Sequence, residues 1–414
     1  MYLFYEWYTY GFPDFWSYFC GSVLRKELRD SVLICETMKY YFIAGEASGD
    51  LHASNLIEAL KKQDAEADVR GFGGELMEAA GMSLVKHYRE MAFMGFIPVL
   101  LNLRTIKRNF KTCEADLLSF KPDVLVLVDY PGFNLRMAEF AQKHGIRVYY
   151  YISPKIWAWK KHRIKQIKAH VDEMFTILPF ETDFYKELGY SVNYVGNPVL
   201  DAVVKRPAKP DFDTFIAENN LPSKPIVALL PGSRLQEINS LLPRMLEAAS
   251  AFSEDYQLVI TAAPNVELSV YEKLTDGYAV RLVENQTYEV LQQAKVAVLA
   301  SGTVSLEAGI LRCPQIVCYR MAGGAFFFWI GQNVLNISWV SLVNLILKKE
   351  AVRELLQHRC SVTNIRQELG RLLNESTYRK RQLNDYEELH RQLGEAGASE
   401  RAAAMIIEKL NEKK

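Results

Sequence analysis

The sequence predicts an α/β protein made of two doubly wound halves, each built around a parallel sheet. Three observations predict this fold. Short apolar runs of strand length alternate with helical stretches along most of the chain. The alternation is interrupted by a charged, proline-rich segment at residues 205–224, which is typical of a connection between domains. The 414 residues also exceed one ordinary hydrophobic core, which favours two domains of about 180 to 200 residues.

Apolar runs and helical periodicity alternate throughout the first half. Strands are predicted at residues 40–44, 69–71, 124–128, 148–152, 174–177 and 193–194. Helices are predicted between them at residues 51–62, 100–119, 135–144 and 160–170. Doubly wound domains bind ligands outside the carboxyl ends of their strands, so the loops after these strands are where a site is expected.

The second half repeats the pattern and ends in helices. Strands are predicted at residues 226–230, 258–261, 280–283, 296–300 and 315–319, and a polar helical tail follows. We therefore expect a first domain at 38–205, a second domain at 206–360 and a helical tail at 361–414. Residues 1–37 are expected to lie outside the fold, because charged residues, glycine and proline interrupt their aromatic run. The run fits neither a signal peptide nor a membrane span.

Charge and cysteine content exclude several classes of function. The chain has 49 acidic and 49 basic residues, so no overall field attracts nucleic acid, which is not an expected partner. The six cysteines are scattered, without a CxxC pair or the spacing of metal ligands. We expect free thiols in a reducing cytoplasm, and neither a metal nor another cofactor.

The most informative loop follows the strand predicted at 226–230. There Pro231 and Gly232 turn the chain directly into a helical pattern, which is the geometry of an anion site at a helix N-terminus. Gly232 permits close approach, Ser233 can donate or cap, and Arg234 offers two donors to a diphosphate. The loop lacks the P-loop ending and the dinucleotide fingerprint, so it predicts a phosphate of another nucleotide.

A second loop of the same kind, Ser301-Gly302-Thr303, follows the strand predicted at 296–300. Two such loops in one domain predict a site for a nucleoside diphosphate, with Glu307 accepting hydrogen bonds from the ribose. The structural alternative is that Ser301 caps the helix and Glu307 completes a capping box.

Two carboxylates of the first half follow strands. Asp129 ends the apolar run 124–128, where burial raises a carboxyl pKa towards that of a useful base, so Asp129 is the predicted general base. The alternative is an aspartate that hydrogen-bonds its own turn. Glu46 and Asp50 lie in a glycine-containing loop that lets a substrate approach and favours sugar hydroxyls over phosphate. The alternative for Asp50 is a helix cap.

Two further segments are candidates for contact with a lipid substrate. Lys155 and Arg163 lie in and after an aromatic turn, where they could face a phosphorylated ligand or only solvent. An apolar segment beside a basic helix suits a membrane interface or an acyl-chain groove, with burial in the core as the alternative. Its candidate contact residues are Phe93, Met94, Phe96, Ile97, Val99, Leu100 and Leu103.

Together these motifs resemble the lipid-A-disaccharide synthase family. They occur in that family's order: GEASGD at 45–50, MGF at 94–96, DYPGFN at 129–134, SPKIWAW at 153–159, PGSR at 231–234 and SGT at 301–303. The resemblance implies a GT-B glycosyltransferase, with two Rossmann-like domains facing a cleft. The implied reaction joins UDP-2,3-diacylglucosamine to 2,3-diacylglucosamine 1-phosphate, forming the β-1,6-linked lipid A disaccharide and UDP. The implied location is peripheral, on the cytoplasmic face of the inner membrane, and no metal is needed.

The resemblance also implies roles for the candidate residues of the first half. Asp129 would deprotonate the acceptor 6-hydroxyl, and Glu46 is the second catalytic candidate. Lys155 and Arg163 are candidates for the acceptor phosphate. The apolar segment at 93–103 would receive acyl chains or dock on the membrane.

In the second half the implied roles concern the nucleotide. Arg234, with Gly232 and Ser233, would neutralise the charge that grows on departing UDP. The loop 301–303 would hold the diphosphate and Glu307 the ribose. Asn344 matches a family position near the nucleotide.

Two alternative functions and the oligomeric state stay open at this point. A UDP-sugar 2-epimerase of the same fold would act on a soluble nucleotide sugar. A membrane-surface protein could bind the UDP-sugar without catalysis. The terminal helices could return to the first domain or exchange between the subunits of a homodimer.

Overall fold

The computed structural model describes residues 37–91, 103–158, 160–206, 210–264, 266–320 and 339–412. In this part of the chain two parallel sheets form the framework, which confirms the predicted fold class. The strands of the first sheet are β1 (Lys39–Ala44), β2 (Asp68–Gly73), β3 (Ser83–His87), β4 (Val124–Val128), β5 (Arg147–Tyr151), β6 (Glu173–Thr176) and β7 (Asn193–Tyr194). Those of the second sheet are β8 (Ile226–Leu230), β9 (Gln257–Ala262), β10 (Val280–Glu284), β11 (Ala294–Ala300), β12 (Gln315–Tyr319) and β13 (Arg353–Leu356).

Both sheets have the strand order of a doubly wound domain. The first sheet runs β3-β2-β1-β4-β5-β6-β7 and the second runs β10-β9-β8-β11-β12-β13, with every pair parallel. The order reverses between β1 and β4 in the first sheet, and between β8 and β11 in the second. Ligands of such sheets bind at this reversal, outside the carboxyl ends of the strands. The four candidate loops therefore follow the four strands at the two reversals.

Helices connect the strands and complete the C-terminus. The helices of the first half are α1 (Ala47–Gln63), α2 (Glu75–Ala79), α3 (Leu103–Phe120), α4 (Pro131–Lys143), α5 (Ile164–His170), α6 (Pro179–Glu187) and α7 (Pro198–Val204). Those of the second half are α8 (Phe212–Glu218), α9 (Leu235–Ala249), α10 (Leu268–Thr275), α11 (Thr287–Gln293), α12 (Thr303–Ile310), α13 (Leu342–Leu347), α14 (Val362–Asn374), α15 (Ser376–Leu393) and α16 (Ala398–Asn411).

The predicted strands are all found, and the two strands that were not predicted lie at sheet edges. β3 and β13 each pair on one side only. Their sequences mix charged and apolar residues without a buried run, because an edge strand needs less apolar surface than a central one. Periodicity alone therefore does not distinguish them from loops.

The C-terminal helices divide between the two sheets. Residues of α14 pack under the second sheet, whereas α16 returns to the first and packs along α1. Ile406 and Leu410 are fully buried there, and burying such a side chain contributes about 1.5–3 kcal/mol. The buried Asp201 carboxylate of α7 caps α16 by accepting hydrogen bonds from its first backbone N–H groups, at 2.7–3.2 Å. The return of the last helix is thus fixed by both apolar packing and a cap.

Candidate active site

The turn after β4 holds Asp129 in a strained conformation. All five residues of β4 are buried, and the chain then enters the left-handed region at Asp129 (φ 42°) and Tyr130 (φ 44°). The Asp129 carbonyl accepts hydrogen bonds from the Tyr150 hydroxyl and from Asn134 Nδ2, the latter at 2.8 Å. Two successive non-glycine residues in this region are costly and occur mostly at functional sites. The turn is therefore built to present the Asp129 carboxyl at the end of the sheet.

The four charged groups at this end of the molecule act on one another electrostatically. Burial raises the pKa of Asp129, and the Lys155 ammonium and the Tyr130 N–H oppose that rise. Burial also raises the pKa of Glu46, and the neighbouring Asp129 raises it further, whereas Arg234 and Lys155 lower it. Arg234 belongs to the second domain and the other three groups to the first, so a charge of one domain acts on a carboxyl of the other.

The glycine of the Glu46 loop has a different role from the predicted one. The sequence suggested that Gly45 lets a substrate approach, but a Cβ at this position would lie 2.3 Å from Cγ of Tyr130. The space is thus occupied by the Tyr130 ring, whose hydroxyl donates to the Met91 carbonyl at 2.9 Å. Gly45 is needed for the contact between the β1 and β4 loops, because any side chain there would displace Tyr130.

Asp50 is a structural residue. It lies inside α1, and its carboxylate accepts hydrogen bonds from the N–H groups of Gly74 (2.8 Å), Leu76 (3.2 Å) and Met77 (3.1 Å). Asp50 is 2% exposed and caps α2 rather than the helix to which it belongs. The capping interpretation of Asp50 is therefore correct in kind, although the helix that Asp50 caps is α2 and not its own.

The Pro231–Arg234 loop has the backbone geometry of an anion site. Gly232 has φ 115°, and a Cβ there would lie 2.4 Å from Oε2 of Glu237. The Glu237 carboxylate accepts a hydrogen bond from the Ser233 N–H at 3.2 Å and pairs with Arg234 Nη1 at 3.4 Å. A carboxylate of the chain thus contacts the same donors that a diphosphate would use. The Arg234 side chain is 64% exposed, so a ligand can reach it.

The second phosphate loop is not capped by its own side chains. Gly302, not Ser301, precedes α12, and no side chain caps it. Ser301 Oγ instead donates to the Val340 carbonyl at 3.3 Å, and Gly302 and Thr303 are exposed. The capping-box alternative therefore does not hold, which leaves the start of α12 available to an anion.

Glu307 lies one turn into α12, as predicted. Its carboxylate accepts a hydrogen bond from the Tyr288 hydroxyl at 3.3 Å, and burial raises its pKa. The Arg206 guanidinium stacks on the Tyr288 ring, 4.5 Å from its centre, and pairs with Glu289 at 3.1 Å. Glu307 is thus oriented by a neighbouring phenol, which is in turn held by the segment that joins the two domains.

Asn344 does not face the cleft, contrary to the prediction of a nucleotide contact. Its side chain is fully buried, and Oδ1 accepts hydrogen bonds from the N–H groups of Ala351 (2.8 Å) and Val352 (2.9 Å). Nδ2 donates to the Val352 carbonyl at 2.8 Å and to Glu354 at 2.9 Å. All hydrogen-bonding groups of the amide are thereby used. Glu354 also binds the N–H groups at 340–341, next to the carbonyl that Ser301 contacts. Asn344 therefore supports the phosphate loop from behind.

Lys155 and Arg163 lie on the first-domain side of the cleft. Lys155 is exposed in the turn after β5, and its charge reaches both Asp129 and Glu46. Arg163 is half-buried, and its charge reaches the Tyr150 hydroxyl under the Asp129 turn. Lys155 thus acts on the two candidate carboxylates, Asp129 and Glu46, which its predicted phosphate role does not require.

The apolar segment predicted to contact acyl chains lies outside the described residues, except for the backbone of Leu103, which begins α3. The basic residues that follow it on α3 are exposed: Arg104, Lys107, Arg108 and Lys111. No helix in the described ranges is long and apolar enough to cross a membrane.

Sequence reasoning missed Glu181, Glu237 and Tyr288. Glu181 is a buried carboxylate that accepts hydrogen bonds from Ser153 and Trp157 of the turn at 153–157. The proline two residues before it marks a helix start at which a glutamate commonly caps, which was a usable signal. Glu237 and Tyr288 carry no such local signal, because their contacts are made with loops that only the fold brings near.

Comparison with known proteins identifies a family. A family model described as lipid-A-disaccharide synthetase matches residues 40–408. The lipid-A-disaccharide synthase of Myxococcus xanthus is 40% identical over 375 residues, which cover 89% of this chain and 96% of that protein. The match spans both sheets and all four strand-end loops described above.

Solved structures with the same architecture include enzymes of two kinds. A putative UDP-N-acetylglucosamine 2-epimerase from Listeria monocytogenes superimposes with a TM-score of 0.66 at 14% identity, covering 91% of this chain and 97% of its own. The glycotransferase of kitacinnamycin superimposes with a TM-score of 0.60 at 14% identity, covering 91% and 99%. At such identity the likeness shows the shared GT-B fold alone, so it does not favour an epimerase.

Proposed function

The chain belongs to the lipid-A-disaccharide synthase family, and from that premise we propose its substrates and the roles of its residues. It joins UDP-2,3-diacylglucosamine to 2,3-diacylglucosamine 1-phosphate, with inversion at the donor anomeric carbon. One observation supports the assignment of the site: the Glu46 carboxyl is acted on by Asp129 and Lys155 of its own domain and by Arg234 of the second. This supports a candidate base in the first domain and a candidate leaving-group clamp in the second.

Asp129 is the general base. Its carboxylate takes the proton of the acceptor 6-hydroxyl, whose oxygen forms the new bond to the anomeric carbon as the bond to UDP breaks. Burial raises the pKa of Asp129, and a carboxylate with a raised pKa is a stronger base. Lys155 works against burial by favouring the ionised form of the group. The strained turn sets the backbone of Asp129 at the carboxyl end of β4.

The second domain stabilises the leaving group. The Ser233 N–H and the Arg234 guanidinium exchange their contacts with Glu237 for the diphosphate, and the uncapped start of α12 supplies further donors. Hydrogen-bond donors that already surround the diphosphate when negative charge develops on it lower the activation barrier, because they need not reorganise during the chemical step. Glu307, oriented by Tyr288, accepts hydrogen bonds from the ribose.

Glu46 binds the acceptor sugar beside the base. Its pKa is raised by burial and by Asp129, so it holds a proton more readily than an ordinary glutamate. A carboxyl in that state can donate to or accept from a sugar hydroxyl. Lys155 contributes the positive charge that attracts the acceptor phosphate, with Arg163 behind it. The two acidic groups and the two basic groups thus face different parts of one acceptor.

Membrane association at the inner face of the inner membrane is part of this proposal. The exposed basic residues of α3 directly follow the apolar segment 93–103, and such a combination binds anionic interfaces. Sedimentation with vesicles containing anionic lipid, compared with neutral vesicles, tests it. Equal binding to anionic and neutral vesicles, or binding to neither kind, would contradict an electrostatic contribution to membrane association.

Paired variants test the catalytic assignment. Asp129→Asn keeps the size of the side chain and removes the base, so kcat should fall by about 10²–10⁴-fold while UDP still binds. Arg234→Ala should instead weaken UDP binding, measured by calorimetry. Mass spectrometry of the products from both diacylated sugars in detergent identifies the disaccharide and UDP. Unchanged disaccharide formation by Asp129→Asn would remove Asp129 from the mechanism, and epimerised UDP-sugar as the product would refute the proposed reaction.

A further inference from the structure

We propose that Glu181 is a positioning residue for catalysis, because its carboxylate holds the turn that keeps Lys155 beside Asp129. The inference rests on the proposed function, in which Asp129 is the general base. Glu181 lies in the first turn of α6, and the turn it holds follows β5. The turn comprises residues 153–157.

The Glu181 carboxylate binds the turn at two places. Oε1 accepts hydrogen bonds from the Ser153 hydroxyl and from Trp157 Nε1, the latter at 3.2 Å. Oε2 accepts from the Leu178 N–H at 3.0 Å, which fixes the carboxylate relative to its own helix. Glu181 is 2% exposed. The first and last residues of the turn are thereby tied to one buried group.

The residues between these two points leave Lys155 as the exposed side chain of the turn. The Pro154 carbonyl accepts a hydrogen bond from the Tyr185 hydroxyl at 3.3 Å, and Ile156 is buried in the core of the first domain. Trp157 packs against the core of the second domain. The turn is therefore held on every side except the one that carries the ammonium.

Holding a turn with a buried carboxylate costs desolvation free energy. Burial raises the pKa of Glu181 to about 7, while the hydrogen bonds from Ser153, Trp157 and Leu178 act in the opposite direction. An apolar residue would avoid the desolvation cost but would leave three donors unpaired. A carboxylate can accept from all three at once, which a neutral amide of the same size cannot do. The contacts favour a role in geometry over a role in stability alone.

The consequence for catalysis has a definite sign. Lys155 lowers the pKa of Asp129 and of Glu46. If the turn is released, Lys155 no longer stays beside Asp129, and the pKa of Asp129 rises. The base is then protonated up to a higher pH, so the acid limb of the rate profile moves to higher pH. The titratable groups that face the two carboxylates are Lys155, Glu46 and Tyr150 for Asp129, and Tyr185 and Tyr194 for Glu181.

The experiment compares the pH dependence of kcat/KM for the parent, Glu181→Ala, Lys155→Met and the double variant, with both diacylated sugars in detergent. Glu181→Ala should lower kcat by about 10- to 100-fold, the loss expected when a reacting group is misplaced by about 1 Å. UDP affinity should stay at the parent value, because the hydrogen bonds of Glu181 go to Ser153, Trp157 and Leu178 and none goes to the phosphate loops. Glu181→Gln keeps the volume of the side chain, but its amide NH₂ group faces a hydrogen-bond donor of the turn. This variant should therefore also move the acid limb of the pH profile to higher pH.

Asp50→Asn is the matched control. Asp50 is also 2% exposed and also accepts three hydrogen bonds in the first domain, but those bonds hold α2. It should lower stability without moving the acid limb.

The proposal is supported if Glu181→Ala and Lys155→Met move the limb to the same higher pH and the double variant moves it no further. It is overturned if the limb stays in place in both Glu181 variants, if the two single shifts add in full, or if Asp50→Asn produces the same shift. Failure of the proposed function is separate from these outcomes. That question is decided by Asp129→Asn alone. If this variant reacts at the parent rate, Asp129 is not the general base, whatever the Glu181 variants show.

Discussion

Asn344→Ala offers a sharp test of whether Asn344 supports the phosphate loop or binds the nucleotide. The fully buried amide satisfies the N–H groups of Ala351 and Val352. Alanine leaves both N–H groups buried without a partner, at about 1–3 kcal/mol each. The free energy of unfolding should therefore fall by about 2–6 kcal/mol. In the folded protein, UDP affinity should fall less than in Arg234→Ala, because the amide has no group left for a ligand and acts on the loop only through Glu354.

Arg234→Ala is the reciprocal control for that measurement. Its side chain is 64% exposed and pairs with Glu237 at 3.4 Å, and an exposed pair of this kind contributes about 0–1 kcal/mol. Stability should barely change. Loss of a charge-assisted contact to the diphosphate costs about 1.5–3 kcal/mol, which weakens UDP binding by about 10- to 150-fold.

Urea denaturation followed by tryptophan fluorescence measures the first quantity, and titration calorimetry with UDP measures the second. Both variants are assayed in both ways. The reasoning is refuted if Asn344→Ala is as stable as the parent and binds UDP at least tenfold more weakly. It is also refuted if Arg234→Ala loses stability instead of affinity.

Two further predictions concern packing. Gly45→Ala places a Cβ 2.3 Å from the Tyr130 ring. Because Tyr130 adjoins the base, this variant should lower kcat by about tenfold or more. The control is Gly49→Ala, whose Cβ would lie 3.4 Å from its nearest neighbour and which should keep the parent rate. Equal rates in the two variants would contradict the contact. Asp201→Ala leaves the first N–H groups of α16 without their cap and should lower the free energy of unfolding by about 1–3 kcal/mol in urea. A midpoint equal to the parent's would show that apolar packing alone fixes the last helix.

The parts of the fold that the sequence predicts are those decided by local composition. β4 consists of five consecutive apolar residues, and such a run is typical of a central strand of a parallel sheet, which is buried on both faces. β13, by contrast, begins with Arg353 and Glu354, and only its neighbour β12 makes it a strand. The return of α16 to α1 could not be predicted either, since an amphipathic helix fits any apolar surface of the right shape.

The same division runs through the candidate site. Asp129 and Arg234 could be predicted from sequence because Asp129 follows an apolar strand directly and Arg234 ends the short loop after another, and parallel strands end at one edge of a sheet. Gly45 and Asn344 were assigned wrongly because what decides their roles is a residue brought in by the fold. For Gly45 that residue is the Tyr130 ring, and for Asn344 it is the backbone before β13. A local sequence pattern indicates which residue types a site needs. It does not show whether such a residue already contacts another part of the protein instead of a ligand.

The charges of the cleft make each domain's part of the reaction depend on the other. Arg234 of the second domain lowers the pKa of Glu46 in the first, and Asp129 raises it. A diphosphate bound at Arg234 would offset the guanidinium charge, so the pKa of Glu46 should rise when the nucleotide is in place. By linkage, the protonation of Glu46 and the occupation of the phosphate loop then favour each other. We therefore expect donor binding to favour a protonated Glu46 on the acceptor side, through electrostatics between the two domains.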